Sequence, residues 1–187
     1  ATVTFAVGDS VMVNDATVVK PDMLAFNGVT HGIDTVLMPP TIADLAVATA
    51  DLSTLATAAT EAGFVEDLDD IQALLTLGAP TNDAFDALPE GLVTQLLTPG
   101  FALHLEEILL MHIIDGAAVL KADLDATQQV VVANDETVTI NKSDDGVVTV
   151  VTAGGVTATV TMADVKAPNG VVTFFDSVLF PAAIGAY

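Results

Sequence analysis

A thirteen-residue stretch occurs twice in this chain, and the repeat constrains its folding more than any other feature. Asn27–Pro39 reads NGVTHGIDTVLMP, and Asn169–Pro181, 142 positions further on, reads NGVVTFFDSVLFP. Laying Ala16–Pro39 on Ala158–Pro181 needs no gap and leaves 12 of 24 positions identical. A spacing this long exceeds the roughly 20–50-residue periods of solenoids and points to whole domains in tandem. The chain is therefore expected to hold the end of one domain and all of the next.

The chemistry of the stretch is legible. Asn-Gly supplies a left-handed turn. Val171, Val172, Phe174 and Phe175 are strand formers with apolar side chains on both faces, as in a strand buried on two sides. Asp176 and Ser177 interrupt the run with side chains that can cap local backbone groups. Val178–Phe180 is apolar again and Pro181 ends it. The whole stretch reads as a core strand that closes a domain.

These residues carry a resemblance. Asn169–Pro181 resembles the second signature box of fasciclin-type (FAS1) domains, which usually reads NGVIHVIDxVLLP. Thr76–Phe85, TLGAPTNDAF, resembles the first box, usually TVFAPTNxAF. Met111-His112 stands where the family usually has Tyr-His. The resemblance covers about 41–181 with its motifs in order. It implies an α+β fold, a β-wedge of two small, mainly antiparallel sheets flanked by short helices, with the two boxes side by side in the core. It marks Thr76, Ala79, Pro80, Thr81, Asn82, Phe85, His112, Asn169, Gly170, Asp176 and Pro181 as the structural motif. It also implies a role in adhesion; the residues themselves, as argued below, lead to no expectation of enzymatic activity.

Residues 1–20 alternate as a small antiparallel meander, with Gly8-Asp9 and Asn14-Asp15 as turns. Pro39-Pro40 stiffens the junction, giving 1–40 as the C-terminal β portion of a preceding, incomplete domain, 41–181 as a complete domain and 182–187 as a tail or linker. From Thr41 the period becomes helical. Thr41 is expected to cap Ile42–Thr49, and Asp51 a second helix stopped by Gly63. Glu66–Asp70 reads as a solvated acidic loop. Short helices follow from Thr81 or Asn82 and over Gly91–Leu97, then a longer one over Phe101–Met111. Val130–Ala133, Thr137–Asn141, Val147–Thr152 and Val156–Thr161 read as hairpins. Helices first and strands later also make this α+β.

With 187 residues, 52% hydrophobic, and a mean hydropathy of +0.64, the chain has ample material for a core. Its longest uncharged run, Gly146–Ala163, is rich in Thr and Gly and reads as strands; no stretch looks like a membrane span. Ala1 is not an initiator Met and no signal peptide is legible, as expected of a processed or excised fragment. Four Lys, no Arg and 25 acidic residues give a net charge of −21. Such a chain is repelled by phosphate backbones and anionic membranes, which excludes nucleic-acid binding and direct membrane insertion. Self-repulsion of this size is screened at high ionic strength, which suits a salt-adapted protein in sea water or brine. Without Cys there are no disulfides, and the compartment cannot be read from redox chemistry.

Several residues invite a sharper reading. His112 could ligate a metal or act as a base. A buried imidazole tied to a hydroxyl or carboxylate, for example Thr81 or Asp176, is the favoured reading, because one His with no second His or Cys nearby makes a poor metal site. A Ser177–His112–Asp176 triad is disfavoured because neighbours on a strand point to opposite faces and no nucleophile elbow precedes the Ser. Asp67, Asp69 and Asp70 are weak calcium candidates that lack the glycine and closing Glu of an EF-hand loop. Asn141-Lys142-Ser143 is a glycosylation sequon expected in a hairpin loop, its occupancy open. Gly78 stands where the resemblance has Phe, so Leu77, Phe174 or Phe175 must fill the space, or a pocket remains.

The expected function is an extracellular, secreted or cell-surface module for adhesion or matrix building, without a cofactor. It would act through protein–protein or protein–glycan contact with other FAS1 domains or matrix components. The alternative is a soluble binder of a hydrophobic ligand such as a carotenoid. Residues 1–40 carry one box without the other and are too few to bury a core alone. They are expected to dock on the intact domain or a neighbouring chain, with head-to-tail or strand-swapped self-association through their open strand edge.

Overall fold

Period-2 runs of Val and Thr broken by Asn-Asp, Asn-Gly and Gly-Gly turns form antiparallel ribbons in both parts of the molecule. The computed structural model describes residues 3–8 and 10–182. Contacts divide the chain into two units, Ala1–Pro39 and Pro40–Tyr187. In the first, β1 (Phe5–Val7), β2 (Val11–Val13), β3 (Ala16–Ala25) and β4 (Gly28–Ile33) form an antiparallel meander in sequence order. Gly8 lies in the expected first turn, while Asp9 lies outside the described residues. The strand within the repeated stretch is shorter than expected. It stops at Ile33 because Asp34 turns away, accepting the Thr17 N–H on Oδ1 at 2.7 Å and donating its own N–H to the Thr17 carbonyl at 3.1 Å.

The second unit begins with helices. Thr41 caps α1 (Ile42–Ala48) through a reciprocal box. Its Oγ1 accepts the Asp44 N–H and an Asp44 carboxylate oxygen accepts the Thr41 N–H. Asp51 does not cap the next helix, contrary to expectation. It lies in a 3-10 turn, Ala50–Leu52, and α2 (Ser53–Glu61) starts after it. Gly63 stops that helix at φ +77°. The acidic stretch is not a loop but a short helix, α3 (Val65–Asp69), because Leu68 is buried and organises one turn around itself. Then follow β5 (Leu75–Pro80), α4 (Asn82–Asp86), α5 (Leu92–Leu96), α6 (Ala102–Leu110) and β6 (Ile113–Asp115), a strand the pattern did not disclose.

The remainder is β7 (Thr127–Val131), β8 (Thr137–Lys142), β9 (Val148–Val151), β10 (Thr157–Ala167) and β11 (Gly170–Phe175). Strand order is β6-β5-β11-β10-β9-β8-β7, with β5 and β11 the one parallel pair among the described residues. Two sheets share β10: Thr157–Thr159 pair with β9, and from Val160 onward, across two bulges, the strand pairs with β11. That is the expected α+β wedge of small, mainly antiparallel sheets.

β11 is buried on both faces. Val172 and Phe174 join the cluster packed with the helices, while Phe175 joins Met111, Val138 and Val150 between the sheets. The turn before it holds the helical layer in place. Asn169, fully buried, accepts the Ile42 N–H on Oδ1 at 3.0 Å. Its Nδ2 donates to the carbonyls of Leu68 and Asp70 at 2.8 and 3.3 Å. Its carbonyl accepts the Leu75 N–H at 2.9 Å. Gly170 follows at φ +147°, and a Cβ there would sit 1.8 Å from the Leu75 carbonyl oxygen.

One asparagine thus joins the start of α1, the end of α3 and the start of β5. Asn169→Ala leaves buried backbone groups unpaired and is expected to cost about 3 kcal/mol or more. Urea denaturation should show a lower midpoint at unchanged slope; a midpoint equal to wild type would overturn this account of the turn.

Candidate functional site

Thr76, Ala79, Pro80, Thr81, Asn82 and Phe85 lie along β5 and the turn into α4, and all but Thr81 and Asn82 are buried. Their polar groups are consumed locally. Thr76 Oγ1 donates to the Ala117 carbonyl at 2.7 Å and accepts the Val119 N–H at 2.8 Å, pinning the loop after β6. Thr81 caps α4 and donates its N–H to the Phe175 carbonyl. Asn82 does what Asp51 was expected to do: its Oδ1 accepts the Thr54 N–H at 3.0 Å in the first turn of α2. Its Nδ2 donates to the Ala50 carbonyl at 2.9 Å. Asp176 Oδ1 accepts the Thr159 N–H at 2.6 Å, and Pro181 is buried.

His112 is buried, as expected, but its partners are backbone atoms rather than Thr81 or Asp176. Nδ1 donates to the Ile108 carbonyl at 2.7 Å, one turn back on α6. Nε2 accepts the Leu179 N–H at 2.9 Å, from the second box. This pairing requires the neutral ring with its proton on Nδ1. Burial lowers its pKa from 6.5 to about 4, against a smaller upward pull from the Ile108 carbonyl. Both nitrogens are engaged, so the ring offers no free lone pair to a metal and no base to Ser177. A backbone donor leaves no mark on a sequence, which is why this partner could not be named beforehand. Met111, in place of the resemblance's Tyr, is fully buried, and its sulfur accepts from Asn134 Nδ2 at 3.5 Å.

Gly78 is filled by Phe175. A Cβ built on Gly78 would meet the Phe175 ring at 2.3 Å. The resembled boxes have Phe at the first position and Ile at the second, so here the ring has crossed from β5 to β11. The exchange is incomplete, and a cavity of about 60 Å³ remains beside both residues, walled by Met111, His112, Ile140 and Leu179. Lys121 stands among its lining residues.

The acidic candidates do not assemble. Asp69 Oδ1 accepts from Thr41 Oγ1 at 2.7 Å and Asp70 Oδ1 accepts the Gln72 N–H at 2.8 Å, while Asp67 lies on the exposed side of α3. Among the described residues no three His, Cys, Asp or Glu side chains converge to hold a metal ion. Asn141 lies in β8, half-buried and accepting from Thr127 Oγ1 at 3.0 Å, not in the hairpin loop expected for a sequon. The loop begins only at Ser143. Among the described residues no single helix is long and apolar enough to cross a membrane.

Comparison with known proteins agrees with this geometry. Residues 1–39 and 50–181 match the fasciclin domain family. The Synechocystis sp. protein sll1483 is 38% identical over 141 residues, covering 75% of this chain and 73% of its own length. Transforming growth factor-beta-induced protein ig-h3 of Sus scrofa is 31% identical over 189 residues; 96% of this chain matches only 25% of that protein. A solved FAS1 domain pair from the insect cell adhesion molecule fasciclin I superposes with a TM-score of 0.67 at 19% identity. It covers 97% of this chain and 67% of its own.

Two outcomes test the site. The unfolded chain protonates His112 near 6.5 and the folded chain only near about 4, so between those values the unfolded state binds more protons. The stability held by the neutral ring is whole above the upper value and falls as pH drops through the window, by about 3 kcal/mol in total at about 1.4 kcal/mol per unit. His112→Gln has no such proton to take up, so its stability gap to wild type should narrow by about that amount between about pH 7 and 4; a constant gap would refute a ring held neutral. Second, Phe175→Ile should cost about 2 kcal/mol, and adding Gly78→Phe should recover much of it, whereas Gly78→Phe alone overpacks the site. A double-mutant cycle with no coupling would refute the ring exchange.

Proposed function

Because the chain belongs to the fasciclin domain family, we propose that it is an extracellular module for adhesion or matrix building. It acts by protein–protein or protein–glycan contact in a saline medium and performs no chemistry. One observation supports this most directly. The side chains of Thr76, Thr81, Asn82, His112, Asn169 and Asp176 are engaged with the chain's own backbone, which leaves surface for a partner. The net charge of −21 supports the saline setting, since among the described residues no Lys lies within ion-pair distance of a carboxylate and only dissolved ions can screen the repulsion. In this reading residues 1–40 are the C-terminal β portion of one fasciclin domain, 41–181 a complete second one and 182–187 a tail or linker. Partners are other fasciclin domains or matrix components.

The apolar cavity beside Gly78 and Phe175 is too small to enclose a carotenoid. At about 60 Å³ it is far below the roughly 300–1,000 Å³ of sites that enclose a drug-sized ligand. Beads coated with the purified chain should cluster, or adhere to matrix or polysaccharide surfaces, at sea-water ionic strength, and the preparation should be colourless. Inert beads at every salt concentration would refute adhesion, and a visible absorption band would point to a bound pigment instead.

A further inference from the structure

We propose that the cavity beside Gly78 and Phe175 is a binding site for a small anionic amphiphile, a short alkyl chain ending in a carboxylate. The alkyl end fills the cavity and the carboxylate rests on the Lys121 ammonium. The site lies wholly within the second unit and is independent of the adhesive reading.

The lining sets the chemistry of the occupant. Val138, Ile140, Val148, Val150, Phe175 and Leu179 present hydrocarbon to the cavity. Four polar residues also reach it: Thr76, His112, Lys121 and Thr173. Thr76 Oγ1 is already bonded to Ala117 and Val119, and both nitrogens of His112 are engaged. Thr173 offers a neutral hydroxyl, so Lys121 is the charged group on this wall. Size sets the length of the tail. A cavity of roughly 150 Å³ holds benzene, or about 25 Å³ per carbon, so about 60 Å³ takes about two or three carbons.

Lys121 sits on a strap, residues 117–124, that side chains from three strands hold in place. Thr76 of β5 bonds Ala117 and Val119. Asp164 of β10 accepts the Lys121 N–H on Oδ1 at 2.8 Å. Lys142 of β8 donates from Nζ to the carbonyls of Lys121 and Leu124, at 3.0 and 3.2 Å. Val119, Lys121 and Leu124 of this strap all line the cavity. The Lys142 ammonium is thus spent on carbonyls and Asp164 on a backbone N–H. The Lys121 ammonium, by contrast, makes no hydrogen bond or ion pair among the described residues, in a chain of 25 acidic side chains and four lysines. Its Nζ lies 3.9 Å from where a Gly146 Cβ would stand, at the β8–β9 turn. A bound carboxylate supplies the counter-charge that the chain itself withholds.

The net charge of −21 opposes an approaching anion at long range. Salt at about 0.5 M confines that repulsion to a few ångströms, so the contact with Lys121 decides which charge is preferred.

The experiment titrates the full chain with butanoate, 1-butanol and butylammonium in about 0.5 M NaCl, following methyl NMR signals. The three probes share one tail and differ in charge. Butanoate should shift the signals of Val138, Ile140 and Leu179 saturably, with a Kd on the order of 10 mM. It should bind about five-fold more tightly than butanol, and butylammonium should bind least. That order runs against the sign of the net charge, so general attraction to the chain cannot produce it. Lys121→Met keeps most of the apolar stem and should abolish the preference while butanol still binds, which also reports an intact fold; Lys121→Arg should retain it. Val138→Ile fills part of the cavity and should weaken all three probes by about 10-fold or more. Absence of saturable shifts at these methyls, butylammonium binding tightest, or a preference that survives Lys121→Met would each overturn the site.

Discussion

The parallel pairing of Leu75–Pro80 with Gly170–Phe175 is the constraint on which the second unit depends. It joins strands more than ninety positions apart, so closing it costs more chain entropy than any hairpin of the same unit. Neither strand has a solvent face, and their side chains divide between the helical cluster and the space between the sheets. Asn169 and Gly170 make the approach possible, the one by bonding three chain segments and the other by having no side chain. An asparagine amide suits this place because it donates and accepts at once, as a buried junction of helix starts and ends requires.

The same economy governs the remaining motif residues. Asn82 completes a helix start distant in sequence, and His112 links the end of α6 to the segment after β11 through two backbone bonds. Burying a neutral imidazole is tolerable when both nitrogens are paired, and unfavourable once it is charged. A histidine used in this way is a structural connector with a pH threshold. The motif's polar residues thus tie segments of the second unit to one another.

Much of this was legible beforehand. The repeat is plain in the sequence and the boxes come with the resemblance, while the helical start at Thr41, the glycine stop at Gly63 and the hairpins of the C-terminal half follow from local rules of turn and cap. The misses share a cause. Asp51 is a good capping residue by type, yet Asn82 reaches the helix instead, because a tertiary neighbour with both a donor and an acceptor serves Ala50 and Thr54 together. Glu66–Asp70 has the composition of a loop, yet burial of Leu68 makes it helical. β6 is three residues long and pairs only with β5, too short to have a period. Asn141 appeared to be in a loop because the turn residues follow it so closely.

By itself the sequence determined the domain kinship, the fold class, the absence of disulfides and the strength of the charge, because these reside in composition and in patterns spanning a few residues. Only the tertiary structure decided that Phe175 occupies the space of Gly78, that His112 bonds to backbone, and that β4 ends the strand order of its sheet while β11 lies between β5 and β10. Those facts depend on which distant atoms arrive beside a residue, and identical local sequences, as at Asn27-Gly28 and Asn169-Gly170, carry no record of their surroundings.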